Sequence, residues 1–245
     1  MDVPVSVSAP GDWIFSLHDH VSPQWQAILA GAWAEGITHG RLNLQQMQGW
    51  LLQMYPFIHA FPKFLAAALL KVEDDEARDF YINNIRVEKA HAEHWLWMGE
   101  GFGVPVTRML ALAEGDTPLD AQVQALTDWL WHINLRGTLA EAAAATSFAI
   151  EGVTGDIARK VTAGFALYRE MPGTDLSPRT YRWMREHAHY DDDHPKIALE
   201  IAARYATTER LQTRVRLAAR RSLQLLHNAL LSSIGVSGVA PALYG

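Results

Sequence analysis

Apolar residues recur along this chain with a helical period, and no apolar–polar alternation of strand length interrupts them. Valine and isoleucine, which favour strands, are sparse. Ser22-Pro23, Thr117-Pro118 and Ser177-Pro178 each set a capping hydroxyl before a proline suited to a first helical position. Thr138 followed by Glu141 reads as a capping box. Gly101 and Gly103 close one helix, and Gly173 lies in a short break after another. These signals predict helices over 22–35, 43–70 (interrupted at Pro56 and Pro62), 75–100, 118–136, 138–170, 178–205 and 208–233. The expectation is one all-α domain spanning 1–245, with irregular tails at about 1–14 and 236–245.

Composition narrows the function classes. The chain has 245 residues, 49% of them hydrophobic, enough for a sizeable core. Its formal net charge is −6, and the 21 basic residues are dispersed except around Arg214 to Arg221. Phosphate recognition needs a concentrated basic face, so no nucleic-acid partner is expected. There is no cysteine, which excludes disulfides, thiolate metal sites and a cysteine nucleophile, and fits a cytoplasmic location. The start, MDVPVSVSAPGDW, lacks the basic-then-apolar pattern of a secretion signal. The most apolar segment, FLAAALL at 64–70, is far short of the roughly 18 residues of a membrane span.

Four segments carry candidate chemistry. In EHAHYDDDHPK, His187, Asp191 and His194 fall at roughly 0°, 40° and −20° on a regular helix, a single stripe of nitrogen and oxygen donors. His189, Asp192 and Asp193 point elsewhere, and Pro195 predicts a kink. The competing reading is a solvated face with His–Asp pairs. Glu88 and His91 form a Glu-x-x-His pair on one helix face, the spacing used by carboxylate-bridged di-iron bundles. His94 lies about 120° from Glu88 on that helix. Glu151 stands alone after the small-residue run AAAATSFAI, where a buried carboxylate calls for a metal, a cation or a hydrogen bond between helices. His59 sits among Tyr55, Phe57, Phe61 and Phe64 with no acid between Glu35 and Glu73, as a ligand or as a core histidine. The nine tryptophans read as core, some of them as walls of an apolar pocket.

NIRVEKAHAEHW (84–95), AIEGVTG (149–155) and EHAHYDDDHP with the ALEI that follows together resemble the heme-oxygenase-like di-iron oxidases. That seven-helix superfamily includes the TenA thiaminases and the pyrroloquinoline-quinone synthase. The chain is most similar to the medium-chain fatty-acid decarboxylases that form terminal alkenes, over about residues 45–205. The resemblance implies a seven-helix heme-oxygenase-like bundle binding two Fe(II) ions per chain, with O2 as cosubstrate. It implies Glu88, His91, Glu151, His187, Asp191 and His194 as metal ligands, with Glu88, Glu151 and His187 as the catalytic set. The alkene-forming enzymes carry a further glutamate where the register anchored on Tyr55-Pro56 places His59. The implied substrate is a small carboxylic acid, fatty or amino, and homodimers are common in the superfamily. Two rival readings stay open: a metal-independent TenA- or quinone-synthase-like enzyme of cofactor metabolism, and a non-catalytic helical interaction protein.

Overall fold

The computed structural model describes residues 12–189 and 193–235. Among the described residues every regular element is helical, as expected. The helices are α1 (Asp12–Leu29), α2 (Ala32–Thr38), α3 (Leu44–Leu69), α4 (Asp75–Gly101), α5 (Val106–Glu114) and α6 (Ala121–Arg136). A continuous helical run follows: α7 (Leu139–Ala142), a π-helical segment (Ala143–Glu151), α8 (Gly152–Val161) and a 3-10 segment (Thr162–Tyr168). α9 (Arg182–His189), α10 (His194–Tyr205) and α11 (Glu209–Gly235) complete the chain.

Several expected boundaries move. Pro23 lies inside α1, because Trp13, Leu17, Val21, Trp25 and Ile28 form one buried stripe that carries the helix past it. α3 likewise runs unbroken through Pro56 and Pro62, its flanks packed on α4 and α6. The hydroxyl-proline pairs at 117–118 and 177–178 lie upstream of their helices; Asp120 caps α6 through the amides of Gln122 and Val123. The expected helix over 178–205 is split, with Pro195 in the first turn of α10, where its missing N–H costs nothing. The capping box at Thr138 and Glu141 forms as read.

The long helices α3 and α4 pack along each other, α6 lies on α3, and α11 covers α1, α6 and the π segment. Lys71 ties the end of α3 to that of α6. Its Nζ donates to the carbonyls of Asn134 at 2.7 Å and Gly137 at 3.0 Å, satisfying acceptors the helix terminus leaves free. On α2, the backbone approaches the 3-10 segment at Gly164, where an added Cβ would lie 2.3 Å from the carbonyl oxygen of Ile37.

Candidate metal centre

Asp74 starts α4 by accepting from the amide of Ala77 at 2.8 Å, and from there the helix turns one polar stripe inward. Tyr81, Asn84, Glu88, His91 and Trp95 follow at three- and four-residue steps, and all five are buried. Buried polar side chains at helical spacing are costly unless they find partners, so their partners define the site.

Glu88, His91 and His187 each bring one ligand atom within 4.8 Å of the other two. Glu88 Oε1 lies 3.0 Å from His91 Nδ1, and the rings of His91 and His187 are 4.2 Å apart. His187 projects from α9 with its tautomer set: Nδ1 donates to the Trp183 carbonyl at 2.8 Å, which leaves Nε2 as the bare nitrogen. The Trp183 indole covers the same imidazole, ring centroids 4.0 Å apart. Burial and the charge on His91 push His187 down to about 4, so it is neutral at neutral pH, as a metal ligand must be. Burial pushes the Glu88 carboxyl up, but the imidazoles of His91, His187 and His194 outweigh it and hold the acid below its ordinary value. His91 is opposed by burial and raised by Glu88, Glu186 and Glu151, and the raising contacts prevail.

A second group adjoins the first. Glu151, at the end of the π segment, is held by Asn84, whose Nδ2 donates to both carboxylate oxygens at 2.9 and 3.0 Å. His194, the first residue of α10, places Nδ1 3.3 Å from Glu151 Oε2. Glu88 feels His194 and His91 feels Glu151, so the two groups share one electrostatic neighbourhood. Carboxylate oxygens and imidazole nitrogens are a donor set that iron accepts. The surroundings are polar: among the described residues, Tyr81 Oη and Asn84 Oδ1 are buried with no hydrogen-bond partner.

The predicted ligands therefore divide. Glu88, His91 and His187 converge, with Glu151 and His194 beside them, although the last two histidines sit on separate helices and not on the single expected stripe. Asp191 lies outside the described residues. His59 is placed elsewhere. Its Nδ1 is 3.4 Å from Tyr55 Oη, and its ring lines a cavity of about 510 Å³ with Lys63, Leu112, Asp116, Thr127 and Trp131. None of the other predicted ligands lines that cavity. With α3 unbroken at Pro56, residue 59 turns toward α5 and α6. Burial and Lys63 lower its basicity against the pull of Glu114.

Sequence reasoning missed three participants. Asn84 lies one turn before Glu88 on the same stripe, a position helical spacing could have flagged. Glu186 accepts from Arg182 Nε at 2.8 Å and lies 2.7 Å from His94 Nδ1 and 3.7 Å from His91 Nε2. Trp183, one turn before His187, fixes that imidazole, a role indistinguishable from core packing in the sequence.

Residues 48–227 match the family of iron-containing redox enzymes. A 4-aminobenzoate synthase of Chlamydia trachomatis is 28% identical over 162 residues, 65% of this chain and 66% of that protein, so the match spans just under two thirds of the curated relative. Among solved structures, a TenA homologue from Pseudomonas syringae pv. tomato superposes with a TM-score of 0.81 at 25% identity, covering 96% of this chain and 99% of that one. A heme-oxygenase-like protein of unknown function from Shewanella denitrificans gives 0.74 at 16% identity, covering 95% and 98%, and shares the fold.

Proposed function

The chain belongs to the iron-containing redox enzyme family, and from that premise we propose that it is a non-heme di-iron oxidase using O2 to oxidise a small carboxylic acid. The observation that carries this reading is the meeting of the buried Glu88 and His91 with the part-buried His187, with Glu151 and His194 alongside. Glu88, His91, His187, Glu151 and His194 would hold the iron; Asp191, expected as a further ligand, lies outside the described residues. Iron supplies O2 binding and one-electron chemistry that none of these side chains possesses.

The protein's own contribution is to keep donors anionic or neutral where charge is needed. Glu88 stays ionised among imidazoles, and His187 stays neutral with Nε2 presented. Asn84 fixes the Glu151 carboxylate by both oxygens, and Trp183 locks the His187 ring against rotation. A small carboxylic acid remains the substrate class, fatty or amino. The relative named 4-aminobenzoate synthase supports looking for an aromatic amino acid among the products.

Anaerobic loading with ferrous ion followed by metal analysis tests the reading. Wild-type protein is expected to retain close to two irons per chain, and Glu88→Ala to lose most of them. O2 uptake by the loaded protein against lauric acid and a panel of amino acids then ranks substrates, with 4-aminobenzoate sought among the products. Failure of the wild type to retain iron overturns the proposal. That result would favour a metal-independent TenA-like enzyme, which the full-length likeness to the Pseudomonas homologue supports. A thiaminase using a cysteine nucleophile has no residue to use here, since the chain has none.

A further inference from the structure

Four tryptophans stand in line from the candidate metal centre outward. The ring of His187 lies 4.0 Å from that of Trp183, Trp183 is 4.9 Å from Trp95, Trp95 is 5.2 Å from Trp50, and Trp50 is 5.1 Å from Trp33. These residues come from α9, α4, α3 and α2, so the line crosses the packed helices from the site to the short outer helix α2. All four indoles are buried, from 1% to 5% exposed, and Trp33 adjoins the exposed Ala32.

Packing alone accounts for neighbouring aromatic rings. It does not account for the N–H groups. Among the described residues, Trp33, Trp50 and Trp183 each bury an indole Nε1 that meets no acceptor, while Trp95 donates to the Leu51 carbonyl at 2.8 Å. Buried donors without partners are costly and ask for a reason. An indole that loses an electron becomes strongly acidic at nitrogen. Where no acceptor faces the N–H, the proton stays, and the oxidised ring is refilled by its neighbour before it can be trapped as a neutral radical.

We propose that Trp183, Trp95, Trp50 and Trp33 form a one-electron relay between the candidate metal centre and the α2 surface. The inference rests on the iron reading for its inner terminus. Each step moves one electron inward. While O2 is being reduced, the centre holds an oxidant stronger than an indole radical cation: Trp183 gives it an electron, Trp95 refills Trp183, Trp50 refills Trp95, and Trp33 refills Trp50. A one-electron reductant of the ascorbate class refills Trp33 and leaves as its own radical. No bond breaks in the protein, and no proton leaves an indole. Trp183 is coupled to the inner end twice, by ring contact and by the hydrogen bond from His187 to its carbonyl.

Two measurements test the relay, one of them independent of iron. Because the chain lacks cysteine, Ala32→Cys takes a thiol-reactive ruthenium photo-oxidant at a single position. Flash oxidation of this labelled, metal-free protein is expected to leave oxidation products at Trp183, located by peptide mass spectrometry. Trp50→Phe, which loses no hydrogen bond, is expected to cut that yield roughly tenfold, the effect of about 1.4 kcal/mol of added barrier. Trp95→Phe should do the same. In the second measurement, ferrous-loaded protein reduces O2 in the presence of ascorbate, and ascorbate consumption is followed optically. Trp50→Phe should slow that consumption by a similar factor at unchanged iron content. Equal Trp183 oxidation in the labelled wild type and Trp50→Phe overturns the relay. So does equal ascorbate consumption at equal iron content. A wild type that binds no iron but still passes oxidation from position 32 to Trp183 overturns the iron reading and leaves the conduction standing.

Discussion

Buried side chains around Glu88 show what a single residue does here. Asn84 is the clearest case. Its amide donates to both oxygens of the buried Glu151, so Asn84→Ala takes two donors from a buried carboxylate. We expect a loss of about 1–3 kcal/mol, measured as a lower urea midpoint at unchanged slope. Asn84→Asp should be worse, because it sets two acids face to face. At this scale the sequence was partly legible. Glu88, His91 and His187 were identifiable because carboxylates and imidazoles advertise metal chemistry. Asn84 and Trp183 were not, because an amide that orients a ligand carries the same letter as one in any turn. His59 carried the right chemistry at a place that only the course of α3 could reveal.

Elements depart from expectation where tertiary packing overrides local signals. Pro23, Pro56 and Pro62 look like breaks, yet each helix continues because its buried stripe gains more than one missing hydrogen bond loses. α5 escaped notice because only Met109 and Leu112 of its nine residues are buried, too few to display a period. The contact of α2 with the 3-10 segment depends on Gly164. A side chain there meets backbone, not a movable side chain, so Gly164→Ala is expected to cost roughly 1–3 kcal/mol in chemical denaturation. The junction of α3 and α6 makes a pH prediction. Burial lowers Lys71 from 10.5 to about 8 despite the attraction of Glu141. Between those values the unfolded chain holds more protons than the folded one, so this lysine makes stability rise with pH. Measured from about pH 8 to about pH 10.5, the stability of the wild type relative to Lys71→Met should shift in the wild type's favour. A flat difference would show that the carbonyls of Asn134 and Gly137 hold the Nζ proton as firmly as water does.

The whole molecule was the most legible level: an all-helical chain follows from period and caps, and the heme-oxygenase-like fold was implied by the resemblance that three short motifs carry. Among the described residues no helix is long and apolar enough to cross a membrane. Ligand linkage gives a prediction at this scale. If ferrous ion binds the folded chain alone, a free concentration about a hundredfold above its dissociation constant should add about 2.7 kcal/mol. Anaerobic thermal unfolding would rise accordingly and fall back with chelator, and an unmoved midpoint would argue against a folded-state site. The π-helical stretch Ala143–Glu151 has a consequence of another kind. A π turn houses an extra residue, and each residue of an α-helix advances the phase by about 100°. Loss of one codon from the alanine run would let the helix relax to its ordinary winding and keep every later side chain close to its present phase. Glu151 would then still face Asn84 although the π turn was gone. Lineages that keep all the ligand letters but differ by one residue across this run would therefore share the same centre.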